Sequence, residues 1–185
     1  MNTLSGVLII LGFGPYIWAT WTGQQPPPSP VTWAIWASVD SLILVAMINK
    51  KAKSKGQLAG SVAGAWTTAV LAVFMGMPTM GSIEWISIVG AAVGIALWQI
   101  KDDANIAIVC ASAALLAGGL PTVAKLYADP FAEDPIAWTL WTISCVCAFK
   151  AVRKWDLANA LQPVIFTIID ATMYFLVVVR PLWFI

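Results

Sequence analysis

The chain has 185 residues, 60% of them hydrophobic and only 10% charged, with a net charge of +1, eleven tryptophans, eleven prolines and no histidine. A soluble protein carries about 25% charged residues, so a water-soluble enzyme is excluded, and the lack of histidine removes the commonest metal ligand and general base. Seven membrane helices of about 20 residues use roughly 140 residues and leave no room for a soluble domain, so the composition reads as a polytopic, non-catalytic membrane protein.

Seven apolar segments follow one another at about 4–22, 31–49, 58–77, 83–100, 104–126, 136–151 and 157–179. The opening stretch MNTLSGVLIILGFGPYIW lacks a basic n-region and a small-residue cleavage site, and reads as a retained helix rather than a signal peptide. The spacer GQQPPPSP at 23–30 predicts an extended, semi-rigid polyproline turn. The second segment carries Trp33, Trp36 and Asp40 and ends in the basic run KKAKSK, 50–55. Gly56, Gly60 and Gly64 at the start of the third segment, and Gly90 and Gly94 in the fourth, are spaced for close helix approach. The acidic loop ADPFAEDP, 128–135, separates the fifth and sixth segments and reads as solvated. Cys110, Cys145 and Cys147 lie in apolar stretches without a CxxC pair and read as small buried hydrophobes. The lysines form one loop cluster without aromatic interleaving, so no nucleic-acid partner is expected.

An internal repeat organises these segments. Pro30-x-x-Trp33-x-x-Trp36 returns 105 residues later as Pro135-x-x-Trp138-x-x-Trp141, and Gly12-x-x-Pro15 returns 106 residues later as Gly118-x-x-Pro121. Each tryptophan segment then runs into a basic turn. The expected fold is all-α and integral to the membrane. Seven transmembrane helices form two parallel three-helix repeats, 1–81 and 104–185, joined by one linker helix, 82–103. With a cytoplasmic amino terminus, that side holds Lys50, Lys51, Lys53, Lys55, Lys101, Lys150, Arg153 and Lys154, against Lys125 and Arg180 opposite. Eight against two predicts a multi-pass protein of a bacterial-type cytoplasmic membrane with its amino terminus inside.

Asp40 and Asp170 fall near the middle of their segments, where a charge costs about 2.5–3.5 kcal/mol and normally faces a cavity or a partner. They are candidates for a substrate or proton site, with a hydrogen-bonded structural carboxylate as the competing reading. In the repeat Asp40 corresponds to Cys145 and Asp170 to Ala65, so an acidic site here is asymmetric. Trp36 and Trp141, one turn inside their segments, are candidate cavity walls able to stack on an apolar or cationic ligand. Trp33 and Trp138, nearer the ends, are expected in the interfacial aromatic belt with Trp18, Trp21, Trp85, Trp98, Trp155 and Trp183. Pro15, Pro121 and Pro163 are candidate hinges. No catalytic set, metal-spaced cluster or phosphate loop is present, and no cofactor is implied.

The 3+1+3 plan, the in-helix prolines and the Trp-x-x-Trp helices resemble the PQ-loop superfamily, which includes the SWEET sugar transporters. The chain is more closely similar to a group of uncharacterised bacterial membrane proteins related to that fold. The likeness rests on PVTWAIWASVD (30–40), GAW (64–66), GGLPTVAKLYADPFAEDPIAWTLW (118–141) and LQPVIFTIID (161–170), and with their spacing covers nearly the whole chain. The diagnostic Pro-Gln pair is replaced by Pro15-Tyr16 and Pro121-Thr122. The resemblance implies that Asp170 stands where relatives usually have an asparagine beside the substrate, and that the amino terminus faces out. The charge count above points the other way. Fold does not fix function, and two functions are expected. One is a small-solute carrier working by alternating access with proton coupling, for a polar or cationic solute. The other is a non-catalytic subunit of a larger membrane complex. The lipid bilayer is the common partner, with a homodimer or larger assembly as the protein partner.

Overall fold

The computed structural model describes residues 1–49, 56–76, 80–100, 104–152, 155 and 157–183. The basic run 50–55, Lys101, Arg153 and Lys154, on which the orientation rests, lie outside them. Seven α-helices follow in chain order. They are α1 (Asn2–Trp21), α2 (Pro30–Asn49), α3 (Gly56–Phe74), α4 (Ser82–Ile100), α5 (Ala104–Ala128), α6 (Pro135–Ala151) and α7 (Leu157–Tyr174). A π turn, Phe175–Val179, and a 3-10 turn, Arg180–Trp183, prolong α7. No strand occurs among the described residues. Four of these helical stretches are long and apolar enough to cross a membrane, at Asn2–Trp21, Gly56–Phe74, Val109–Ala128 and Ala160–Trp183. Leucine, isoleucine, valine and tryptophan side chains stand exposed around the outside of the bundle, an apolar surface compatible with a membrane protein.

The helix starts follow from short-range chemistry. Ser29 precedes Pro30, and its hydroxyl accepts the Thr32 N–H at 3.2 Å. Asp134 precedes Pro135, and its carboxylate accepts the Ala137 N–H at 2.6 Å. A short polar cap followed by proline at the first helical position satisfies an orphan donor and needs no N–H from the proline. The two tryptophan helices therefore begin alike. At the end of α1, Gly23 takes φ +70, a conformation open to glycine, and turns the chain back over the bundle. The spacer is thus not extended from its first residue: Gln25 is buried, donating to the Thr20 hydroxyl at 2.6 Å.

Packing sorts the helices into neighbours. α3 lies against both α1 and α2, and α7 against both α5 and α6, so in each half the third helix sits between the first two. The halves meet where α1 packs on α6 and α2 on α5. α4 packs mainly on α5. Glycines make these approaches possible. Gly60 and Gly64 admit Ile9, Ile10 and Phe13 of α1, while Gly94 lies against the Cys110 carbonyl and Gly90 against Ala117. Gly56 has open space where a side chain would go.

Gly12 is packed against the Trp141 indole, so that a β-carbon there would enter the ring. Gly12→Ala is therefore expected to cost about 1–3 kcal/mol through overpacking, and less when combined with the smaller ring of Trp141→Phe. Unfolding of the two single variants and the double variant in mixed micelles measures that coupling. Equal costs in both backgrounds would show that the contact does not carry the strain.

Candidate functional site

A partly open cavity of about 50 Å³ lies on the seam between α1–α3 and α5–α7, the two halves of the bundle. Its walls come from Ile9 and Phe13 of α1, from Trp33, Trp36 and Asp40 of α2, and from Ser61 and Ala65 of α3. Leu115 of α5, Trp138 and Trp141 of α6, and Phe166, Ile169 and Asp170 of α7 complete them. Every helix but α4 contributes. Asp40, Asp170, Trp36 and Trp141 thus come together on one cavity.

Both acids are withdrawn from the surface, Asp40 to 2% exposure and Asp170 to 9%. Ser61 on α3 donates to Asp40 Oδ2 at 2.7 Å, and the Cys145 thiol on α6 donates to Asp170 Oδ2 at 2.9 Å. Asp40 Oδ1 is buried without a hydrogen-bond partner among the described residues. Cys145 occupies the position that corresponds to Asp40, and Ala65, on the cavity wall, the position that corresponds to Asp170. The first half thus places its acid on its second helix, and the second half places its acid on its third. Cys145 is more than a small hydrophobe, since it holds a carboxylate oxygen. The repeat register alone marked the position, but not the direction of its thiol.

The tryptophans cross between the halves. Trp36 on α2 donates to the Leu115 carbonyl on α5 at 2.8 Å, and Trp141 on α6 donates to the Ile9 carbonyl on α1 at 3.1 Å. The accepting residues stand 106 apart, the same offset that relates Gly12 to Gly118. Gly118 and Gly119 admit Trp36 as Gly12 admits Trp141. Trp33 and Trp138, expected in the interfacial belt, are instead core residues at 3% and 1% exposure. Trp33 meets Trp36 and Trp141 edge-on with ring centroids 5.3 and 5.7 Å apart, and Trp138 meets Trp141 at 4.9 Å. Such T-shaped contacts suit the aromatic quadrupole. Trp18, Trp21, Trp85, Trp155 and Trp183 are exposed as a belt requires, and the side chain of Trp98 lies outside the described residues.

What covers Trp33 and Trp138 is a polar cap at the bundle end where α1 finishes and α2 begins. Trp33 donates to the Tyr16 hydroxyl at 3.2 Å, and Trp138 to Glu133 Oε2 at 3.4 Å. Glu133 does not lie in a solvated loop. Its side chain is fully buried and ion-paired to Lys125 at 2.7 Å. Lys125 also donates to the Pro27 carbonyl at 3.2 Å, so one ammonium ties both loops down. At the other end, the Ser5 and Ser144 hydroxyls donate to each other's backbone carbonyls at 2.9 and 2.8 Å. There Gln57 donates to the Ser144 hydroxyl at 3.0 Å and to the Cys145 sulfur at 3.7 Å.

Pro15, Pro121 and Pro163 lie inside α1, α5 and α7. Each removes one backbone donor from its helix. Among the described residues no cluster of side chains is arranged to hold a metal ion. Comparison with protein-family models, curated proteins and solved structures finds no match to this chain.

Proposed function

We propose that the protein is a small-solute carrier of a bacterial-type cytoplasmic membrane. Seven membrane-spanning helices form two parallel three-helix units, 1–81 and 104–185, with 82–103 as the joining helix and the amino terminus in the cytoplasm. It works by alternating access, with solute and proton meeting at Asp170 and Asp40 between the walls formed by Trp36 and Trp141. One observation carries this reading: two buried carboxylates, on α2 and α7, line a single cavity. Asp40 Oδ1, buried and without a hydrogen-bond partner among the described residues, is available to a solute or a proton.

The parallel repeat is supported by the matched neighbour order of the helices, the matched proline starts of α2 and α6, and the crossed tryptophan bonds. The Lys125–Glu133 pair ties down one end of the bundle and the Ser5–Ser144 hydrogen bonds the other. Pro15, Pro121 and Pro163 are the hinges on which the units open.

Uptake by proteoliposomes under an imposed pH gradient, screened over small neutral, cationic and anionic solutes, tests the proposal. Asp170→Asn is expected to reduce the rate for the transported solute at least tenfold while leaving the folded fraction unchanged. A panel in which nothing moves, or an Asp170→Asn variant as fast as the wild type, overturns it.

A further inference from the structure

We propose that the cavity binds one small organic cation of the ammonium or guanidinium class, held by Asp40 and Asp170 and walled by tryptophans. The assignment rests on the reading of this cavity as a solute site and names the chemistry of the solute.

The first argument is an inventory of donors and acceptors. All four indole N–H groups around the cavity are already used, on Tyr16, Leu115, Glu133 and Ile9. The Ser61 hydroxyl and the Cys145 thiol are used on the two carboxylates. Among the cavity-lining residues this leaves carboxylate oxygen, Asp40 Oδ1 above all, with no side-chain donor directed to it. A site rich in acceptors and poor in donors suits a ligand that only donates, such as an ammonium or a guanidinium. It offers nothing to an anion, and to a neutral polyol it leaves the polyol's own acceptor oxygens unmatched.

Charge and size give the second and third. No cationic side chain among the described residues pairs with Asp40 or Asp170: Lys125 is paired with Glu133, the guanidinium of Arg180 bonds the carbonyls of Leu126 and Tyr127, and Lys150 is exposed. Intramembrane carboxylates usually find an opposite charge, and a cationic ligand supplies it. Tryptophan is the best aromatic partner for such a cation. Since the N–H edges are tied to other groups, the tryptophans that line the cavity offer a ligand only their aromatic carbon surface. A cavity of about 50 Å³ holds about four water-sized groups at roughly 10–15 Å³ each. Methylammonium and guanidinium are of that size.

Equilibrium binding of radiolabelled methylammonium to the full chain in nanodiscs tests the assignment. Saturable binding to one site is expected, displaced by guanidinium but not by its neutral isostere urea or by acetate. Asp40→Asn is expected to weaken binding at least tenfold. Because that variant could lose its fold, the guanidinium–urea comparison on the wild type stands as an independent readout. No saturable methylammonium binding, or displacement by urea equal to that by guanidinium, overturns the proposal. Transport of a neutral solute without cation binding would leave the carrier reading intact and remove this one. Cation binding without transport of any solute would do the reverse.

Discussion

Lys125→Met is expected to cost about 3–5 kcal/mol, because removing one partner of a buried ion pair leaves the other as an uncompensated charge. The side chain of Glu133 is wholly enclosed, while that of Lys125 is 23% exposed. The lysine can therefore be removed with little loss of packing, and the carboxylate bears the consequence. Its remaining bond, from the Trp138 indole at 3.4 Å, is too long to replace an ammonium at 2.7 Å. The substitution also frees the Pro27 carbonyl that Lys125 caps, loosening the 23–29 loop. Lys125→Met combined with Glu133→Gln is expected to recover most of the loss, since no charge is then left buried. Unfolding of the single and double variants in mixed micelles measures both steps. A Lys125→Met variant as stable as the wild type would mean that the pair contributes nothing to closing this end.

The second large effect is expected at the crossed tryptophans. Trp141→Ala removes an indole that fills the groove at Gly12 and contacts Phe13, Tyr16, Trp33 and Trp138. Large-to-small core changes of this kind cost about 3–5 kcal/mol in water-soluble proteins. On the proposed membrane reading the transfer from water drops out and lost dispersion contacts dominate, which places the expected cost at about 3 kcal/mol. Trp36→Ala removes the corresponding ring over Gly118 and Gly119, so its cost should match within about 1 kcal/mol. Thermal unfolding of the two variants side by side checks the equality. A large difference would show that one half carries the seam alone.

The seven helices were readable from patterning, because apolar runs separated by proline, glycine and charge mark where helices begin and end. The segment at 31–49 and the helix at Pro30–Asn49 differ by one residue, since a proline start leaves little freedom. Asp40 and Asp170, singled out by their depth in apolar runs, and Trp36 and Trp141, singled out by their place in the repeat, line one cavity, a convergence that the separate segments could not show. Trp33 and Trp138 were misread because distance from a helix end does not say what lies above that end. Tyr16 covers one and Glu133 the other, each from a neighbouring segment. Glu133 was misread for a related reason. Its neighbours Asp129 and Asp134 suggest a wet loop, but Asp134 is used as a helix cap and Lys125 draws Glu133 inward. The direction of the Cys145 thiol depends on how α6 faces α7, which no single-segment pattern records.

The exchange of tryptophans across the seam also bears on how such a molecule can arise. Each half offers a protruding indole on its second helix and a glycine-lined notch with a waiting carbonyl on its first. A surface that carries both the key and the lock is complementary to its own copy, the condition for a two-fold symmetric pair. The seam inside this single chain is thus the kind of contact two separate three-helix polypeptides would form as a homodimer. Once two copies are fused into one chain, they no longer need to remain identical. The carboxylate at position 40 can then sit opposite a thiol at 145, and the carboxylate at 170 opposite a methyl group at 65, a division of labour forbidden to identical subunits.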